Sequence, residues 1–123
     1  MLKPIETLKI LQTNSQINSF SAGDIIFRQG TEGDKMYGII EGEVEVLAGN
    51  KVVETINAGD VFGQGALIHS DHLRASTVRA KTNCKIASLD REHFLFAVQE
   101  TPMFALEVMR SYSDRLRYLR ANS

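Results

Sequence analysis

The sequence predicts an α+β protein: a roll of short strands between a short N-terminal helix and C-terminal helices. Three observations predict it. Between residues 19 and 90, short runs rich in β-branched residues alternate with glycine-centred turns. From residue 90 onward glycine disappears, and apolar residues recur at every third or fourth position. Ahead of the roll, Ile5, Leu8, Ile10 and Leu11 lie close to helical spacing, and Asn14-Ser15 form a natural stop. With 123 residues the chain is expected to be one domain, 1–123, divided into a lead-in at 1–18, a roll at 19–90 and helices at 91–123.

Taken in order, the strand candidates begin with Asp24-Ile25-Ile26-Phe27, Met36 to Ile40 and Val44 to Leu47. Val52 to Ile56, Val61-Phe62, Thr77 to Lys81 and Cys84 to Leu89 follow. Each is too short for a helix, and turn formers separate them. Gly49-Asn50, set between two valine-rich runs, is a tight-hairpin signal. Evenly spaced short strands of this kind make a sandwich or a barrel-like roll. Ala-Gly-Asp followed by two apolar residues occurs at 22–26 and again at 58–62, a faint echo that suggests two related halves.

After the roll, Asp90 is placed to cap a helix over Arg91 to Gln99. Thr101-Pro102 then restarts the chain as an N-cap with proline at the first helical position. Leu106, Met109, Tyr112, Leu116 and Leu119 form one stripe, expected to pack on the roll or on a second copy. Arg110, Arg115, Arg117 and Arg120 are assigned to the solvated side.

Composition narrows the function. Apolar residues at 43% and charged residues at 24% are ordinary for a globular protein. A net charge of -1 gives no global field toward nucleic acid or anionic lipid. Cys84 is the single cysteine, so no intrachain disulfide forms, and its apolar neighbours mark it as packing. No stretch has signal-peptide or membrane-spanning character, and the expected location is the cytoplasm.

Chemistry concentrates between Val61 and Ala80. Gly63 and Gly65 permit a sharp turn and a close backbone approach to a ligand. The amides of residues 65 to 67 would then face an anion at a helix start. Nine residues separate Gln64 from Arg74, whose planar and permanently charged guanidinium suits phosphate oxygens. A glycine-rich turn opposite an arginine makes a phosphate cradle, although both also occur as plain turns and edge charges.

On these residues the chain resembles the cyclic-nucleotide-binding domain family, which includes the catabolite activator protein and the kinase A regulatory subunits. The likeness runs over roughly residues 5 to 120. It rests on Gly23 to Phe27, Gly30, Gly33-Asp34, Gly42, Gly59-Asp60, Phe62-Gly63 and the run from Arg74 to Ala80. The resemblance implies an antiparallel β-roll of the double-stranded β-helix, or jelly-roll, type with a phosphate-binding cassette at residues 62–76. It implies a ligand site of Phe62, Gly63, Gln64, Gly65, Ala66, Leu67, Arg74, Ala75 and Ser76. In that site Arg74 meets the cyclic phosphate, the amides near Gly65 and Ala66 assist, Gln64 faces the ribose, and Ser76 and Val78 form the wall. The ligand implied is a cyclic nucleotide of the cAMP or cGMP class, with no other cofactor.

Two residues depart from the family pattern. Glutamate is usual where this chain has Gln64, and a neutral amide oxygen accepts a weaker hydrogen bond than a carboxylate. Many bacterial members carry a hydroxyl where this chain has Ala75. An ungapped count puts Leu119 and Arg120 where some members supply hydroxyls to the base, so base recognition is not expected to follow that pattern.

His69 and His72 lie three apart without a third ligand, so no metal site is expected. No activated-serine motif is present, and no enzymatic activity is expected. The chain stops before a helix-turn-helix of the bacterial relatives would begin, so direct nucleic-acid contact and a membrane role are not expected. The expected function is a ligand-sensing regulatory domain that signals by movement of its C-terminal helices to an unidentified effector, with a homodimer through the last helix. The alternative is a degenerate roll that serves only as a dimerisation or protein-interaction module.

Overall fold

The computed structural model describes residues 17–121. Eight strands fill the first part: β1 (Ile17–Phe20), β2 (Ile25–Phe27), β3 (Lys35–Glu41), β4 (Glu43–Ala48), β5 (Lys51–Asn57), β6 (Val61–Phe62), β7 (Thr77–Ala80) and β8 (Cys84–Asp90). One helical turn, α1 (Gly65–Ile68), interrupts them, and α2 (Arg91–Glu100) and α3 (Met103–Ala121) close the chain. The lead-in helix read at residues 4 to 14 lies outside the described residues. The roll itself starts at Ile17, two residues before the boundary placed at 19, because β1 pairs with β8 from Ile17 opposite Ala87.

The strands form two four-stranded antiparallel sheets, ordered β1-β8-β3-β6 and β2-β7-β4-β5. Every pairing joins a strand before Gly49 to one after Asn50. Ile39, Val44, Ile56, Phe62, Val78 and Ile86 fill the space between the sheets. A second cluster, with Met36, Leu67, Leu89, Phe104 and Val108, joins the first sheet to the helices. β8 is buried over most of its length because it serves both. Its Cys84 and Ile86 face the inter-sheet core, whereas Ala87 and Leu89 face the helices.

The Ala-Gly-Asp echo is structural. At the first turn Gly23 N–H donates to Ala80 O (2.7 Å), and Ala80 N–H donates to Asp24 O (2.8 Å). At the second, Gly59 N–H donates to Ile39 O (2.8 Å), and Ile39 N–H donates to Asp60 O (3.0 Å). Both glycines hold a φ near +95°, at 93° and 96°. Each turn thus locks its strand to the opposite half by the same pair of bonds.

Asp90 caps α2 as the sequence suggests, its side chain accepting from His93 N–H at 2.9 Å. The structure narrows the choice left open above for α3. Phe104, Glu107, Val108 and Ser111 face the roll, whereas Leu106, Met109, Tyr112 and Leu116 are 40–58% exposed. The apolar stripe therefore does not pack on the roll. Arg115 is corrected from the solvated side to the protein interior, with a side chain only 15% exposed, because its charge is held by Glu54. Among the described residues no helix is long and apolar enough to cross a membrane.

Candidate nucleotide cleft

The site is built around Arg74, which is 5% exposed. Its backbone is fixed first: Arg74 N–H donates to Thr31 O and Gly30 N–H to Arg74 O, each at 2.8 Å. The side chain then crosses to the opposite loop. Nη1 donates to Gly63 O (2.8 Å) and Nη2 to Lys35 O (2.7 Å). The Phe27 ring centroid lies 4.0 Å from the guanidinium carbon, a cation–π contact, and the Tyr37 ring lies at 5.6 Å. Gly33 leaves the room for this placement, since a Cβ there would come within 2.2 Å of Arg74 Nε. Burial lowers the Arg74 pKa and raises that of Tyr37, while each of the two favours the charged form of the other. The guanidinium nevertheless keeps its charge.

Gly63 holds a φ of +79°, and a Cβ there would meet Arg74 Nη1 at 2.9 Å, so the turn and the arginine both require glycine. Gly65 differs from the sequence expectation. Its φ is outside the left-handed range, and a Cβ would reach only the His69 ring at 3.5 Å, so the sharp turn depends on Gly63 alone. Beyond the turn, no acceptor takes the Gly65 N–H among the described residues, and the Ala66 N–H has only a long 3.4 Å contact to Gly63 O.

These groups surround a cleft of 240 Å³ between the cassette, the second sheet and α3. Of the residues assigned to the ligand site, Phe62, Gly63, Gln64, Gly65, Ala66, Arg74, Ala75 and Ser76 line it, as does Val78. Leu67 does not. Its side chain is buried in the cluster that joins the sheet to the helices, because one turn of helix places it on the face opposite the cleft. Two buried polar atoms among these residues have no hydrogen-bond partner: Gln64 Oε1 and Arg74 Nε.

Sequence reasoning missed the far wall. Glu54 reaches the cleft from β5, and Tyr112 and Arg115 reach it from α3, in place of the Leu119 and Arg120 suggested by counting. Arg115 Nε lies 3.2 Å from Glu54 Oε2, and Arg115 Nη1 donates to Val61 O. Ser111 Oγ donates to Asp60 Oδ1 at 3.0 Å, a second tie from α3 to the approach of β6. Burial pushes the Glu54 carboxyl up, opposed by Arg115 and reinforced by Asp60. The inward phase of Glu54, which shares a strand face with Ile56, was the available signal. His69 lines the cleft, whereas His72 Nδ1 lies 2.8 Å from Ala66 O on its other side. The described residues hold no group of three or more metal-ligating side chains.

Known proteins share this architecture. Residues 17–101 match the family described as cyclic nucleotide-binding domain. Over 76 residues the chain is 46% identical to a cAMP-dependent protein kinase regulatory subunit from Schizosaccharomyces pombe, covering 61% of this chain and 18% of that protein. A cAMP-bound PfPKA-R structure superposes with a TM-score of 0.69 at 27% identity, covering 94% of this chain and 45% of that one. A c-di-GMP responsive global regulator from Xanthomonas campestris shares the fold, with a TM-score of 0.81 at 21% identity over 96% of this chain and 60% of that one. The chain therefore spans less than two thirds of each of these proteins, and it belongs to the cyclic nucleotide-binding domain family.

Proposed function

We propose that the chain is a regulatory module that binds one cyclic mononucleotide, cAMP by preference, in the cleft beneath α3. The observation that carries this reading is that two residues lining the cleft, Gln64 and Arg74, each keep one buried polar atom, Oε1 and Nε, without a partner. A buried donor and acceptor without partners cost free energy unless a ligand satisfies them. Arg74 Nε and the Gly65 and Ala66 amides donate to the singly charged cyclic phosphate. Gln64 Oε1 accepts from the ribose hydroxyl, and Tyr112 covers the base. The identity to a cAMP-dependent kinase regulatory subunit supports cAMP over cGMP.

Binding stabilises the docked position of α3, which Arg115 and Ser111 tie to the roll, and so changes the surface offered to an effector. The exposed stripe of Leu106, Met109, Tyr112 and Leu116 supports a homodimer through α3, which is compatible with sensing. Calorimetry with cAMP and cGMP tests the reading. cAMP binds the wild-type chain, and Arg74→Ala weakens it roughly a hundredfold, the loss of about one charge-assisted bond. Absence of heat with both nucleotides at high protein concentration would overturn it.

A further inference from the structure

The cassette is a wall between two cavities. In front is the cleft just described. Behind it a second cavity of 460 Å³ is bounded by Gly33, Asp34, Leu67, His72 and Arg91. On this rear side the carbonyl oxygens of α1 are held by donors from elsewhere. His72 Nδ1 lies 2.8 Å from Ala66 O, and Arg91 Nη1 donates to Leu67 O at 2.7 Å. His72 adopts a φ of +56°, and its own carbonyl accepts from Gly33 N–H at 2.9 Å, beside the seat of Arg74. A helical segment of four residues does not persist by itself, so its position depends on these ties.

We infer that Arg91, helped by His72, is a positioning residue for the anion site: it fixes the cassette from behind and joins it to α2. Arg91 is the first residue of α2, directly after the capping Asp90. Its guanidinium on Leu67 O is the one side-chain hydrogen bond between cassette and helix among the described residues. Release of that bond lets Gln64, Gly65 and Ala66 drift from the geometry that Arg74 requires. Arg91 itself lies outside the ligand cleft. The inference rests on the cleft being the nucleotide site, and the test separates the two.

The full chain is prepared as Arg91→Met and Arg91→Lys. cAMP affinity is measured by calorimetry, and exchange of the Leu67 and His69 amides by hydrogen–deuterium exchange without nucleotide. The methionine variant binds cAMP about tenfold more weakly, with faster exchange at both amides and an unchanged melting temperature. The lysine variant recovers most of both, because its ammonium can still donate to Leu67 O. Wild-type affinity and exchange in Arg91→Met overturns the inference, as does equal loss in both variants with a lowered melting temperature. Should the wild-type chain bind no cAMP, the functional reading fails, and amide exchange alone still decides the role of Arg91.

Discussion

At the scale of single residues, the site depends on what surrounds Arg74 more than on Arg74 alone. The arginine and the Phe62-Gly63 turn are legible in the sequence through the ordered glycines and the cassette run that carry the family resemblance, since a glycine turn and an arginine alone are also plain turns and edge charges. The role of Gly33 is not. In sequence it marks a turn; in space it is the floor on which the guanidinium lies, contributed from 41 positions away. Gly33→Ala therefore isolates the effect. Its backbone is outside the left-handed range, so the alanine folds, but the new Cβ displaces Arg74. Expected are an unchanged far-UV circular dichroism spectrum and a cAMP affinity reduced at least tenfold, about 1.4 kcal/mol. Glu54 and Arg115 escaped the sequence reading for a related reason: charged residues on a strand and on a helix are ordinarily solvated, and only their mutual approach makes burial tolerable.

At the scale of elements, the strands were readable because two-residue alternation and glycine punctuation are local signals. All seven runs identified in sequence are strands of the roll. β1 was missed because Ile17-Asn18-Ser19-Phe20 has little β-branched character, and it pairs only at the sheet edge. The phase of α3 was not readable, since Ser111 and Arg115 turn inward to meet Asp60, Glu54 and Val61, partners that only the folded roll supplies. The cap of α2 illustrates a local signal that held. His93 donates to Asp90 from its backbone and its ring, and this holds the Asp90 carboxyl below its usual value. A depressed carboxyl contributes stability above its unfolded pKa, and that contribution is lost as pH falls through the folded value. Melting temperature should accordingly drop between about pH 4 and lower values. Asp90→Ala, which removes the cap at a typical cost of ~1 kcal/mol, should show a lower melting temperature at neutral pH and a flatter acid profile.

For the whole molecule, the outer face of α3 governs association. A helix that buries Phe104, Glu107, Val108 and Ser111 on its own domain and exposes Leu106, Met109 and Leu116 leaves those three for another surface. Met109, Tyr112, Leu116 and Leu119 follow the alternating three- and four-residue spacing of a helix–helix seam. Sedimentation of the wild-type chain at micromolar concentration should show a dimer, and Leu116→Asp should shift it to monomer while cAMP binding persists. A wild-type monomer under those conditions would remove the dimer from the proposal.

The strand pairing has a consequence for how this protein comes into being. Since, among the described residues, no strand before the β4–β5 hairpin pairs with another on its own side, β1 to β4 have no sheet to form with one another as they leave the ribosome. Pairing starts at that hairpin and finishes only when β8 arrives to join β1 and β3. Folding of the roll is thus expected to be a late and long-range event, slow compared with that of its helices.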